Sequence, residues 1–209
     1  MAAVVIALGA VAVAVVWRLV ARGVATVWGA MSVVLAVAAV VALLAEDVHL
    51  SRRIAPVVAT LAGAGIGLGL YVATRVFVRL VARFPAFAHH TADVYGERHD
   101  VSLAVALFLA LAVVAPAEEA FWRGFVQARL GDAMSPLAGA LAAWGLYVAA
   151  NLASGKLPIV AAAVVGGAVW GGLAFWTRGV LASVACHVVW AGLMILLPPP
   201  EAASREVSA

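Results

Sequence analysis

The feature of this chain that most constrains its fold is a succession of seven apolar runs separated by short polar breaks. A helix that crosses a bilayer needs about 20 apolar residues, and most of the runs are close to this length. Of the 209 residues, 67% are hydrophobic and 11% are charged, whereas a soluble domain is about half apolar and about a quarter charged. We therefore predict an all-α, polytopic transmembrane helical bundle of about seven spans. The predicted spans are residues 2–16, 24–45, 56–74, 101–130, 137–153, 159–176 and 180–197.

The composition also bounds the partners and the chemistry. A net charge of +3 is ordinary for a membrane protein and does not indicate a nucleic-acid partner. The single cysteine, Cys186, excludes an intramolecular disulfide and a multi-cysteine metal site. Residues 2–16 lack a basic beginning and are followed by further spans, so we predict a first transmembrane helix rather than a signal peptide. We expect an integral membrane protein, embedded in the lipid bilayer of a bacterial plasma membrane.

Two other patterns have structural interpretations. Residues 85–100 are predicted to be the one long polar loop, and they contain several possible metal ligands. The ligand spacing of a helical zinc motif is absent from this stretch, so we favour a solvated loop over a metal site. The alternating glycines of the third span and the pair Gly167 and Gly171 predict close helix packing rather than a nucleotide-binding loop. The glycines of the third span are Gly63, Gly65, Gly67 and Gly69, and the titratable loop residues are His89, His90, Asp93, Glu97, His99 and Asp100.

Two adjacent glutamates, Glu118 and Glu119, follow directly on an apolar run. A carboxylate at bilayer depth costs at least a few kcal/mol, so it usually faces a cavity or a partner. Arg123 lies four residues after Glu119, in the better orientation for an ion pair, which leaves Glu118 without that partner. A free carboxylate in such a place suits a general base. The alternative is a helix end at the membrane surface with both acids solvated. Pro116 is expected to kink the helix or to free backbone carbonyls just before the glutamates.

Two polar residues in later spans complete a candidate site. Asn151 lies near the end of the fifth span, and His187 lies in the middle of the seventh. A histidine at this depth needs a partner, although a neutral core histidine bonded to a backbone carbonyl is the simpler interpretation. Glu118, Asn151 and His187 come from three helices that can converge on one hydrated pocket. A carboxylate that takes a proton from water, with donors aimed at a carbonyl oxygen, suffices for peptide hydrolysis.

The segment from Glu118 to Gly124, EEAFWRG, resembles the EExxxR-G signature of the CAAX-protease and bacteriocin-processing (CPBP, or Abi) intramembrane proteases. The similarity covers about residues 101–197, the predicted protease-like transmembrane core. Residues 1–84 are predicted to be N-terminal transmembrane helices without a motif, and residues 198–209 a polar tail. The resemblance implies that Glu118 activates water, and it assigns Glu119, Arg123 and His187 to the catalytic site together with Asn151.

Two positions depart from the family's pattern. Tyr147 and Asn151 stand where the family has Phe and His, and Ala191 stands where Asn or Asp follows the last histidine. The resemblance implies a glutamic-type intramembrane endopeptidase that cleaves a membrane-associated, possibly prenylated, peptide or protein. One histidine and one asparagine make a poor zinc site, so we predict no metal and no cofactor. The alternatives are a catalytically impaired relative that acts as a membrane immunity or interaction protein, and a small transporter that uses Glu118 as its proton site.

Overall fold

The computed structural model describes residues 2–45 and 48–199, and for His99 only the backbone. Within those residues the chain is helical, without a strand. The helices are α1 (Ala2–Ala21), α2 (Val27–Ala45), α3 (Pro56–Val81), α4 (Pro85–Gly96), α5 (Leu103–Ala133), α6 (Pro136–Leu152), α7 (Leu157–Thr177) and α8 (Leu181–Leu196). Of these, α1, α2, α3, α5 and α7 are long and apolar enough to span a bilayer, and α6 and α8 are shorter apolar helices. The prediction of a polytopic helical bundle is confirmed, and the seven predicted spans correspond to these five long helices and two shorter ones.

Helix boundaries follow local sequence chemistry. Pro56 and Pro136 lie in the first turns of α3 and α6, where a missing N–H costs nothing. Ser135 caps α6 by accepting from the backbone N–H of Ala138. At the other end of α7, Arg178 adopts the left-handed conformation (φ 53°) that ends the helix. Helix α7 therefore ends in the break between the predicted spans 159–176 and 180–197.

The prediction that residues 85–100 form a loop is wrong. Residues Pro85–Gly96 form α4, and Glu97–Asp100 continue it as a 3₁₀ turn. Pro85 lies in the first turn of the helix. Phe87 and Thr91, four residues apart, lie on the same face, and this face is buried. The helix is amphipathic, because the polar residues that suggested a loop occupy its other face. The predicted C-terminal tail lies outside the described residues from position 200 onward.

The most extensive helix contact is the one between α3 and α8, and glycines make it possible. A Cβ atom on Gly67 would lie 2.5 Å from the carbonyl oxygen of Cys186, and one on Gly63 would overlap the carbonyl of Ala182. Gly65 and Gly69 face open space, so only one face of the glycine pattern is used. The predicted close packing is confirmed for that face, and it holds α8 firmly against α3.

Helix α5 is α-helical at both ends and at residues Ala115–Glu118, with π-helical turns at Leu109–Val114 and Glu119–Gln127. Pro116 has no N–H to donate, so the regular hydrogen-bond ladder cannot run through it. The backbone N–H of Ala115 bonds to Ala110 O, five residues back. The predicted disturbance before the glutamates is thus a wider turn, of the kind often found at functional sites.

Candidate active site

A partly open cavity of about 570 Å³ lies between the helices, and its wall is mostly apolar. Helices α1 to α8 all contribute side chains to it. The polar groups on its inner wall are few, and they include Glu118, Tyr147, Asn151 and His187. A concave, mainly apolar site with a few convergent polar groups is the usual form of a binding or catalytic pocket.

Both glutamates of α5 are buried. Glu118 is 7% exposed and Glu119 is 0% exposed, so the alternative of a solvated helix end is wrong. The π-helical turn that begins at Glu119 places Glu118 on the cavity wall and Glu119 behind it. The two adjacent carboxylates therefore have different surroundings, and each needs its own partners.

Arg123 is the counter-ion of Glu119, as the spacing predicted. Its Nη1 atom lies 3.3 Å from Glu119 Oε1, and both side chains are almost fully buried. Its Nη2 atom donates to the carbonyl oxygen of Gly167 in α7. One turn later, Gln127 donates to the carbonyl oxygen of Gly171. These two hydrogen bonds, from side chains of α5 to glycine carbonyls of α7, fix the position of α5 along α7.

His187 of α8 lies between the two carboxylates. Its Nδ1 atom is 2.9 Å from Glu119 Oε1, and its Nε2 atom is 3.9 Å from Glu118 Oε2. Glu119 also accepts from Arg123, so we assign Glu119 as ionised and Nδ1 as the protonated ring nitrogen. The partner of one ring nitrogen sets the role of the other, so Nε2 faces Glu118 as the nitrogen free to accept or exchange a proton.

The plane of the His187 ring is fixed by stacking. The ring of Trp170 in α7 lies 3.8 Å away, centroid to centroid, at an interplanar angle of 12°. An indole face also stabilises a positive charge held against it. The interpretation of His187 as a core histidine bonded to a backbone carbonyl does not hold, since its hydrogen-bond partner is the carboxylate of Glu119.

Glu118 is not free of partners, contrary to the expectation from helix geometry. The hydroxyl of Tyr147 in α6 donates to Glu118 Oε2 at 3.1 Å. Glu118 and His187 approach within 3.9 Å, close enough for one water molecule to contact both groups. The expected proximity of these two side chains is therefore confirmed.

Asn151 lines the same cavity, but its polar atoms are engaged by neighbours. Its Oδ1 atom accepts from Trp17 Nε1 of α1 at 3.0 Å, and its Nδ2 atom donates to the backbone carbonyl of Tyr147 at 2.9 Å. Asn151 therefore connects α1 to the turn of α6 that carries Tyr147. The chain brings Glu118, Glu119, Arg123 and His187 into one bonded cluster, and Asn151 joins it through Tyr147.

Sequence reasoning missed two residues of this cluster, Tyr147 and Trp170. In the sequence Tyr147 stands out only as a substitute for Phe, although a tyrosine hydroxyl buried at bilayer depth needs a partner as much as a histidine does. Trp170 lies in a glycine-rich apolar span, and nothing in the sequence distinguishes its role from that of the other tryptophans. Only the α7–α8 packing shows that it stacks on His187.

The residues do not fit a catalytic zinc site, which normally needs three protein ligands. Across residues 2–45 and 48–199, there is no group of three or more His, Cys, Asp and Glu side chains that could hold a metal ion. Glu118 and Glu119 lie at different nitrogens of the same imidazole. One ion cannot contact both carboxylates and the ring between them.

The polar rim of the cavity is formed by α4 and the start of α7. Lys156, which lines the cavity, forms an ion pair with Asp93 of α4. The backbone N–H of Leu157 donates to His90 Nδ1, and Trp28 Nε1 of α2 donates to the carbonyl oxygen of Glu97. Burial raises the pKa of Glu97 above its ordinary value. Residues 90, 93 and 97 thus attach α4 and the turn after it to α2 and to the start of α7.

Comparison with known proteins agrees with this geometry. The fold and cluster define a polytopic membrane protein with a buried acid–imidazole site. The family model described as type II CAAX prenyl endopeptidase, Rce1-like, matches residues 100–193. That segment contains every sequence-predicted site residue, so the predicted resemblance to the CAAX-protease family is confirmed over these residues. No curated protein and no solved structure matches the chain.

Proposed function

We propose that the protein is an intramembrane endopeptidase in which Glu118 activates a water molecule. The observation that carries the proposal is the position of Glu118 on the cavity wall, 3.9 Å from His187 Nε2. A water molecule beside this pair can hydrogen-bond to a general base and to an imidazole at once. The family match supports the reaction class, and the cluster supports the residue roles.

In the proposed reaction, Glu118 takes a proton from the water, and the water oxygen attacks the carbonyl carbon of the peptide. The carbonyl electrons move onto oxygen and form an oxyanion. When the tetrahedral intermediate collapses, the C–N bond breaks and Glu118 returns its proton to the amine nitrogen. His187 orients the water, and the negative charge of Glu119 stabilises His187 whenever the ring gains a proton. Arg123 holds Glu119 in place.

The proposed substrate is a membrane-associated peptide or protein, in which a lipid-like group such as a prenyl chain lies in the apolar part of the cavity. The wall supplies apolar contacts over most of its area, and the polar rim under α4 suits the peptide backbone. Burying an apolar chain stabilises the complex by about 25 cal/mol per Å². A soluble peptide without such a group lacks this contribution.

The experiment is a cleavage assay with purified protein in detergent. Paired peptides that differ only in a farnesyl group on one cysteine are incubated with the protein, and the products are identified by mass spectrometry. We expect one cut site and faster cleavage of the farnesylated peptide. Protein carrying Glu118→Ala and Glu119→Ala together is the control, because any cleavage that it retains belongs to a contaminant. Absence of product from either peptide would favour the non-catalytic interaction protein.

A further inference from the structure

Tyr147 provides a hydroxyl group at the centre of the site. It lies in α6, lines the cavity and donates to Glu118 Oε2 at 3.1 Å. Its side chain is 5% exposed, so the hydroxyl has little competition from bulk water. The group therefore adjoins the place where the attacking water and the substrate carbonyl must meet.

The phenol ring is held on three sides. The guanidinium carbon of Arg123 lies 4.4 Å from the ring centroid, and Trp122 meets the ring edge-on at 5.3 Å. Gly167 makes room for it, since a Cβ atom there would lie 2.9 Å from Tyr147 Cδ1. With the ring fixed, rotation about the C–O bond is the motion that remains, and it redirects the hydroxyl proton without moving a heavy atom.

The reaction needs a donor for the oxyanion, and the other side chains nearby are poorly suited. Asn151 is engaged with Trp17 and with the backbone of Tyr147. Ala191 lies on the cavity wall one turn after His187 and has no polar side-chain atom. His187 Nε2 faces the water beside Glu118. Unlike these groups, the hydroxyl of Tyr147 already donates to Glu118, the group that takes the proton from water.

We propose that Tyr147 is a catalytic residue whose hydroxyl donates first to Glu118 and then to the substrate oxyanion. The proposal rests on the proposed peptidase function. While Glu118 is ionised, it is the stronger acceptor and the phenol proton points to it. After Glu118 has taken the proton from water, its carboxyl is neutral and the oxyanion becomes the stronger acceptor. The phenol keeps its own proton throughout, so the proton balance is that of Glu118 and water alone.

The test is Tyr147→Phe, which keeps the ring and removes only the hydroxyl. Loss of one oxyanion donor typically lowers kcat by about a hundredfold, so we expect a fall of that size with KM within about twofold of wild type. Tyr71→Phe is the matched control, because Tyr71 is equally buried and donates to the carbonyl oxygen of Leu197, outside the cavity wall. We expect this control to keep the wild-type kcat.

A second measurement separates catalysis from structure. A peptide phosphinate mimics the tetrahedral intermediate, whereas the corresponding peptide amide, before it is cleaved, represents only the ground state. Tyr147→Phe should weaken phosphinate binding by about the same factor as kcat and leave amide binding unchanged. If kcat of this variant stays within twofold of wild type, or phosphinate binding is unchanged, the role of Tyr147 is overturned while the peptidase function stands. If wild-type protein cleaves nothing, the peptidase function fails and the role of Tyr147 with it.

Discussion

His187 Nδ1 lies 2.9 Å from Glu119 Oε1, and the same oxygen accepts from Arg123. This shared oxygen makes Glu119 the link between the ion pair inside α5 and the imidazole of α8. The two adjacent buried glutamates therefore have different roles. Glu119 is held through Oε1 by Arg123 and His187 and positions the ring, whereas Glu118 lies on the cavity wall, where it is available for proton transfer.

The first prediction concerns the buried ion pair. Replacing Glu119 with Ala leaves Arg123 buried without its carboxylate, and Arg123→Ala leaves Glu119 without its guanidinium. Each single change should lower the free energy of unfolding by about 3–5 kcal/mol. The double variant should lose clearly less than the sum, because it leaves neither charge uncompensated. Chemical unfolding in detergent measures all three, with the exposed Asp132→Ala as the neutral control. Additive losses would contradict the coupling.

The second prediction concerns the contact between α3 and α8. Gly67→Ala puts a methyl group 2.5 Å from the carbonyl oxygen of Cys186 and should destabilise the protein by about 1–3 kcal/mol. Gly65→Ala is the matched control on the same helix, since its Cβ would meet open space. That change should be neutral or slightly stabilising. Equal melting temperatures for the two variants would show that α3 and α8 do not pack as described.

Much of this architecture could be predicted from the sequence because hydropathy and length largely decide which segments span a bilayer. Turns that carry Pro, Gly or Ser were also predictable, as at Ser135 and Pro136. Helix α4 was missed because its polar face dominates the composition. Its buried face consists of only two residues, Phe87 and Thr91, four positions apart. So short a pattern does not indicate an amphipathic helix until the packing of the bundle is known.

The candidate site was predictable in part. Spacing within one helix gave the pairing of Glu119 with Arg123, because four residues bring side chains to the same face. Spacing within one helix does not predict which side chains meet between helices. The bond from Tyr147 to Glu118, the contact between His187 and Glu119 and the stacking of Trp170 all depend on how α5, α6, α7 and α8 rotate against one another. The π-helical turn also changes which face each glutamate occupies.

The third prediction concerns the attachment of α4 above the cavity. A hydrogen bond from Lys156 lowers the pKa of Asp93, helped by the charges of Lys156, His89 and His90 and opposed by burial. A lowered carboxyl pKa stabilises the folded state above the ordinary value of 3.8, and this contribution is lost as the pH falls through the lowered pKa. Because both side chains are partly exposed, the contribution is at most about 1 kcal/mol.

A spin label at Ala86→Cys measures the mobility of α4 directly. We expect a constant line shape from pH 7 to pH 4 and greater mobility on further acidification. Adding Asp93→Asn should give the mobile line shape already at pH 7, with no further change at low pH. A transition between pH 5 and pH 7 in the protein with Asp93 intact would contradict the role of this carboxylate.

The fourth prediction concerns metal dependence. Glu118 and Glu119 contact opposite nitrogens of His187, so the cluster does not form a three-ligand site. Incubation with EDTA followed by gel filtration should therefore leave kcat unchanged within experimental error. Restoration of a lost activity by Zn²⁺, and not by Mg²⁺, would contradict this arrangement.

The most direct test of the account is the turnover of Glu118→Gln on a farnesylated peptide. Glutamine keeps the shape of the side chain and can accept from Tyr147, but it cannot take a proton from water. Removing a general base typically costs about 10²–10⁴-fold, so kcat should fall at least a hundredfold while the melting temperature stays near that of wild type. Asp132→Asn, an acid-to-amide change at an exposed residue outside the cavity wall, is the matched control and should keep the wild-type activity. A Glu118→Gln protein that retains more than about a tenth of the wild-type kcat would contradict the assignment of Glu118 as the base.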